Sequence, residues 1–94
     1  MLEITELPNS PQEMANLVIN DSDKRVRYIN PSTRQAIDVV RVNVPSLKCY
    51  EIQCWVDSDF FTVSNGLNSS EAFEHFVNVS RGEKTYQKGE WYTN

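Results

Sequence analysis

The sequence predicts an α+β domain: a two-layer sandwich in which a four-stranded antiparallel meander carries two helices on one face. Three observations predict it. Apolar residues recur at helical spacing in two separate segments, over 10–20 and after Asn68. Between them, residues 24–64 alternate with period two and are rich in β-branched side chains. Turn chemistry interrupts that middle stretch at short intervals, so successive strands are joined as hairpins. The predicted order is α-β-β-β-β-α, followed by an aromatic C-terminal tail.

Taken in order, Leu2 and Ile4 are spaced for a short edge strand ahead of the first helix. Ser10 is a good N-cap, Pro11 suits the first helical position, and Glu13 stands where a capping box needs it. Met14, Leu17 and Val18 supply the apolar stripe, and Asn20-Asp21 ends the run. Strands are expected over 24–29, 35–44, 47–56 and 59–64, separated by Asn30-Pro31-Ser32-Thr33, Pro45-Ser46 and Asp57-Ser58. The third of these is the least distinct, because Leu47, Tyr50 and Cys54 also fit a helical period. Asn65-Gly66 signals a turn or a bulge. Asn68 or Ser69 then caps a second helix with Glu71 in its first turn, a stripe of Ala72, Phe73, Phe76 and Val77, and a stop at Arg81-Gly82. The tail carries Tyr86, Trp91 and Tyr92, and reads either as a small hairpin or as an aromatic segment folded over the sheet edge.

At 94 residues the chain is read as a single domain, 1–94, whose folding buries only a little over 60% of its unfolded surface. No run of eighteen apolar residues is present, so no membrane span is expected, and the N-terminal segment lacks the basic and apolar regions of a signal peptide. Cys49 and Cys54 are separated by an odd number of positions, which on a strand sends them to opposite faces, roughly 16 Å apart. Unpaired cysteines favour a reducing, cytoplasmic location, where the matches to the glycosylation pattern at Asn68 and Asn78 carry no meaning.

The net charge of −4 conceals segregation. Residues 1–23 carry five acids and no base; 24–48 carry six bases against Asp38 alone; 49–79 carry five acids and no base. Neighbouring strands bring opposite blocks together, so internal pairing is the favoured reading. The competing one assigns each block to a charged partner.

Catalytic chemistry finds little support. His75 is the only histidine and lies between Phe73 and Phe76, at the edge of an apolar stripe, where a packing role is expected. No third residue is positioned to orient a Cys–His pair. Cys49, Cys54 and His75 fall short of a structural zinc set, Asp57 and Asp59 straddle a turn they would stabilise, and the three isolated glycines make no phosphate loop. No enzyme, metal or cofactor is therefore expected. Those two cysteines and the histidine stay the only suspects for a third reading, a small enzyme or metal protein.

Binding remains. A basic hairpin with Arg25, Arg27, Arg34 and Arg41 beside Tyr28 is a minimal nucleic-acid face, but a sequence pI of about 4.8 opposes it. A protein partner is favoured. Trp91 and Tyr92 are the aromatic interface candidates, and Trp55 is expected to pack inward. In size, acidity and lack of a catalytic set, the chain looks like the small inhibitors made by phages and mobile elements, such as anti-CRISPR proteins. That likeness implies acidic side chains occupying the channel of a basic, nucleic-acid-handling partner. Asp57, Asp59, Glu71 and Glu74 are the first candidates, and Asp21 and Asp23 the second. An exposed sheet edge leaves a homodimer by strand pairing open.

Overall fold

The computed structural model describes residues 1–56, 59–82, 84–87 and 90–93, with side chains described for 1–55 and 62–82. Nine elements follow one another: β1 (Leu2–Ile4), α1 (Pro11–Asn20), β2 (Arg25–Ile29), β3 (Ala36–Arg41), β4 (Tyr50–Val56), β5 (Asp59–Leu67), α2 (Ser69–Ser80), β6 (Lys84–Gln87) and β7 (Glu90–Thr93). The first five strands form one sheet in chain order, and β6 pairs with β7 in a separate hairpin.

The α+β class and the β2–β5 meander match the sequence reading, but the sheet has five strands and is mixed. β1 pairs parallel to β2, with Leu2 opposite Val26 and Ile4 opposite Tyr28. A parallel neighbour needs a crossover, and α1 is that crossover. The short edge strand expected at Leu2 and Ile4 is therefore present, but three residues give no signal of which strand they pair with or in which direction. The tail adopts the hairpin alternative in its backbone.

Both helices start as their sequences require. Ser10 Oγ accepts from the Glu13 N–H at 3.1 Å, while the Glu13 carboxylate reaches one residue further back and accepts from the Asn9 N–H at 3.0 Å. At α2 the box closes on the cap itself: Asn68 Oδ1 accepts from the Glu71 N–H at 2.8 Å, and Glu71 Oε1 accepts from the Asn68 N–H at 3.2 Å.

Alternation sorts the sheet. Val26 and Tyr28, Ile37 and Val39, and Tyr50, Ile52 and Cys54 turn to one face, where Met14, Ala15 and Val18 of α1 and Ala72, Phe76 and Val79 of α2 cover them. Phe76 is fully buried and meets Tyr28 edge to face, with ring centroids 6.5 Å apart.

Two expectations about the middle of the chain are corrected. The 35–44 and 47–56 strands shorten to β3 and β4, leaving 42–49 as a loop clasped by the Val42 N–H donating to the Cys49 carbonyl at 2.8 Å. Cys49 therefore precedes the strand, strict alternation does not reach it, and it is buried in the same core as Cys54 rather than on the opposite face. Farther along, β5 continues to Leu67 through Asn65-Gly66 as a bulge: the two residues oppose Glu51 alone, and Gly66 takes φ +63°. A second extra residue, Val63, intrudes between the Ile52–Ser64 and Gln53–Thr62 pairs.

Candidate protein-binding face of the sheet

The same alternation that buries Val26 and Tyr28 sends Arg25 and Arg27 to the opposite face of the sheet. The register then places Asp38 beside Arg27, and Gln53 beside Asp38. Asp38 is fully buried and accepts three hydrogen bonds from guanidinium groups. Arg27 grips it through two nitrogens, Nε to Oδ1 at 2.7 Å and Nη2 to Oδ2 at 3.0 Å, and Arg25 Nη1 reaches Oδ2 at 2.6 Å. Arg25 Nη1 also donates to Gln53 Oε1 at 2.7 Å, and Gln53 Nε2 donates to Glu51 Oε2 at 3.1 Å. One chain of contacts thus crosses three strands.

Electrostatics explain why this network tolerates burial. A carboxylate removed from water is costly unless paired and hydrogen-bonded, and forked guanidinium contacts meet both conditions. The hydrogen bond to Asp38 raises the Arg27 guanidinium pKa above its ordinary value; desolvation opposes this, and the charges of Asp38 and Glu3 reinforce it. Arg27 also lies over the Trp55 ring, 5.5 Å from its centroid. Trp55 is 36% exposed on this face, which corrects the expectation that it packs inward. Position 55 alternates with the core residue Cys54, so the parity of β4 decides its direction.

The four arginines do not form one basic patch. Arg25 and Arg27 are tied to Asp38, the lone acid of their own block. Arg34 sits in the β2–β3 turn with φ 65°. Arg41 ends β3 at the other end of the hairpin, with the parity of the core-facing residues.

The acidic candidates scatter as well. Asp21 closes α1 and accepts the N–H groups of Asp23 at 3.1 Å and Arg25 at 3.2 Å. Desolvation works against its charge, but those N–H groups and the Met1 ammonium hold its carboxyl below the ordinary value. Asp23 is exposed and lies 2.6 Å from that ammonium. Glu71 is occupied by the α2 cap, and Glu74 is exposed one turn later. Asp57 lies outside the described residues, as do the side chains of Asp59, Trp91 and Tyr92; Asp59 pairs with Val56 through the backbone.

Asp38 and Gln53 are the members of this face that sequence reasoning missed. Their signal was present: an acid inside a basic block, and a neutral amide on the next strand. Only the register turns that into contact.

Among the described residues, no cluster of three or more His, Cys, Asp or Glu residues is placed to hold a metal ion, and no helix is long and apolar enough to cross a membrane. Burial pushes the Cys54 thiol up to about 12, with the charge of Asp38 adding to the effect. The reactive thiolate is therefore scarce near neutrality. Alkylation of the native protein at pH 8, read by mass spectrometry, is expected to leave Cys54 unmodified until denaturant is added; rapid native labelling would contradict the burial described.

No family model, curated protein or solved structure matches this chain.

Proposed function

We propose that the chain is a non-enzymatic binding module that docks on a protein partner through the open face of its sheet, centred on Trp55 and Arg27. One observation carries this reading: an exposed Trp is stacked with an Arg whose guanidinium is fixed from beneath by a buried Asp. Trp and Arg are the residue types that dominate interface hot spots. A pre-fixed guanidinium also loses less freedom on association than a free one. The pairing of Arg25 and Arg27 with Asp38 favours a protein over a nucleic acid, because those charges already have a partner.

A finer form of the proposal is an inhibitor that occludes a basic, nucleic-acid-handling complex, in the manner of anti-CRISPR proteins. The net charge of −4 and the exposed Glu74 and Asp23 support it.

Affinity capture from the source cells, with protein and nucleic acid both analysed, tests the reading. A protein partner is expected on the wild-type chain and is expected to be lost with Trp55→Ala but kept with Arg34→Ala. Equal capture by Trp55→Ala rejects the face. The inhibitor form further expects capture to fall with salt and with charge reversal at Asp57 and Asp59; indifference to both rejects that form alone.

A further inference from the structure

On the helix side of the sheet, a groove of about 370 Å³ runs between α1, the 42–49 loop and the start of α2. Gln12 and Ile19 of α1, Leu47 of the loop, and Arg41 and Tyr50 of the sheet are among the residues that line it. A second depression of about 350 Å³, lined by Lys24, Val42 and Val44, adjoins it across Arg41.

Three features of this region point to a ligand. Its apolar side chains are exposed where a small domain would ordinarily hide them: Leu47 is 89% exposed, Val44 46% and Ile19 41%. Its charge is of one sign. The chain carries a net −4, yet no Asp or Glu lines either depression, while Lys24 and Arg41 do. Two of its polar groups, Arg41 and Tyr50, are unspent, while the Lys24 ammonium already donates to the Ile19 carbonyl at 2.5 Å and the Asn68 side chain caps α2. Arg41 makes no side-chain hydrogen bond or ion pair with the described residues, in contrast to Arg25 and Arg27. Tyr50 is only 5% exposed and lines the groove, yet its hydroxyl has no hydrogen-bond partner among the described residues. Desolvation raises the Tyr50 pKa, so its hydroxyl is a neutral donor near neutral pH, and Arg41 is close enough for its charge to act on it.

We infer that this groove docks an acidic, apolar peptide segment of a protein partner. A large aliphatic side chain of the segment packs between Ile19 and Leu47, and a carboxylate accepts from the Arg41 guanidinium and the Tyr50 hydroxyl. Charge complementarity selects this occupant: at close range Lys24 and Arg41 attract an acidic segment and repel a basic one, no lining carboxylate offsets them, and apolar walls leave a free inorganic anion without most of the contact area. The surface is separate from Trp55 and Arg27, which lie on the other side of the sheet.

The test is selection of a random displayed peptide library on the immobilised chain, followed by anisotropy with a labelled peptide from the enriched pool. Enriched peptides are expected to combine Asp or Glu with Leu, Ile, Met or Phe. Their affinity is expected to fall roughly tenfold with Arg41→Ala and with Leu47→Ser, to weaken as salt rises, and to be unmoved by Trp55→Ala. Both altered residues are exposed, so circular dichroism should show an unchanged fold. Failure to enrich, enrichment without acidic residues, or binding indifferent to both substitutions would overturn the inference. A concentration-dependent dimer in sedimentation, abolished by the same two substitutions, would overturn it in favour of a second copy as the occupant.

Discussion

Phe76→Ala is expected to destabilise the fold by about 4 kcal/mol, the range for removing a fully buried phenylalanine. The ring is at zero exposure on the inner face of α2, and its loss empties the space above Tyr28. The lost apolar transfer and the residual cavity both contribute, and the edge-to-face contact adds a smaller amount. In a domain of this size that is a large share of a stability of about 5–15 kcal/mol, and it corresponds to a fall in Tm of roughly 20 °C. Urea unfolding followed by circular dichroism measures it. A loss below about 1 kcal/mol would mean that α2 does not seal the sheet as described.

Asp38→Ala is expected to cost about 3 kcal/mol, although it removes only three heavy atoms. The expense lies in what is left behind. Arg25 and Arg27, with side chains 25% and 19% exposed, lose the anion that compensates their partial burial. The contribution is thus a penalty for breaking the set, not the worth of an ion pair in itself, since replacing such a set by apolar residues is often neutral. A double-mutant cycle makes the distinction. Arg27→Met is expected to cost less in the Asp38→Ala background than in the wild type, with a coupling on the order of 1 kcal/mol. Strict additivity would show that the two side chains do not share a network.

The elements legible in the sequence were those with a chemical signature at a fixed spacing. Ser10-Pro11 and Asn68 with Glu71 announce helix starts because capping depends on residues three positions apart. The β2–β5 meander was legible because one face is apolar and the period is two. β1 was legible as a short edge strand, but its parallel pairing with β2 was not, since that is set by the α1 crossover and not by its own three residues. Internal pairing was the favoured reading of the charges, but the partners on the outer face were not legible, for a related reason. Arg25 and Arg27 look like a basic patch when read along the chain, and become the clamp on Asp38 only across the β2–β3 register. Trp55 was misplaced because aromatic content predicts burial on average, whereas the parity of β4 fixes it individually. The groove at Arg41 is assembled from α1, a loop and the start of α2, and no local pattern links those segments.

The two insertions in β5 bear on how this molecule behaves when crowded among its own kind. Among the described residues nothing pairs with the outer edge of β5, and a terminal strand of nine residues offers its amides and carbonyls there as a template for stacking. Extra residues at Val63 and at Asn65-Gly66 bend and coil that ribbon, so the donors and acceptors no longer lie in one straight row. A copy arriving alongside can zip only a short length before the spacing fails, and the rim resists growth into fibrils.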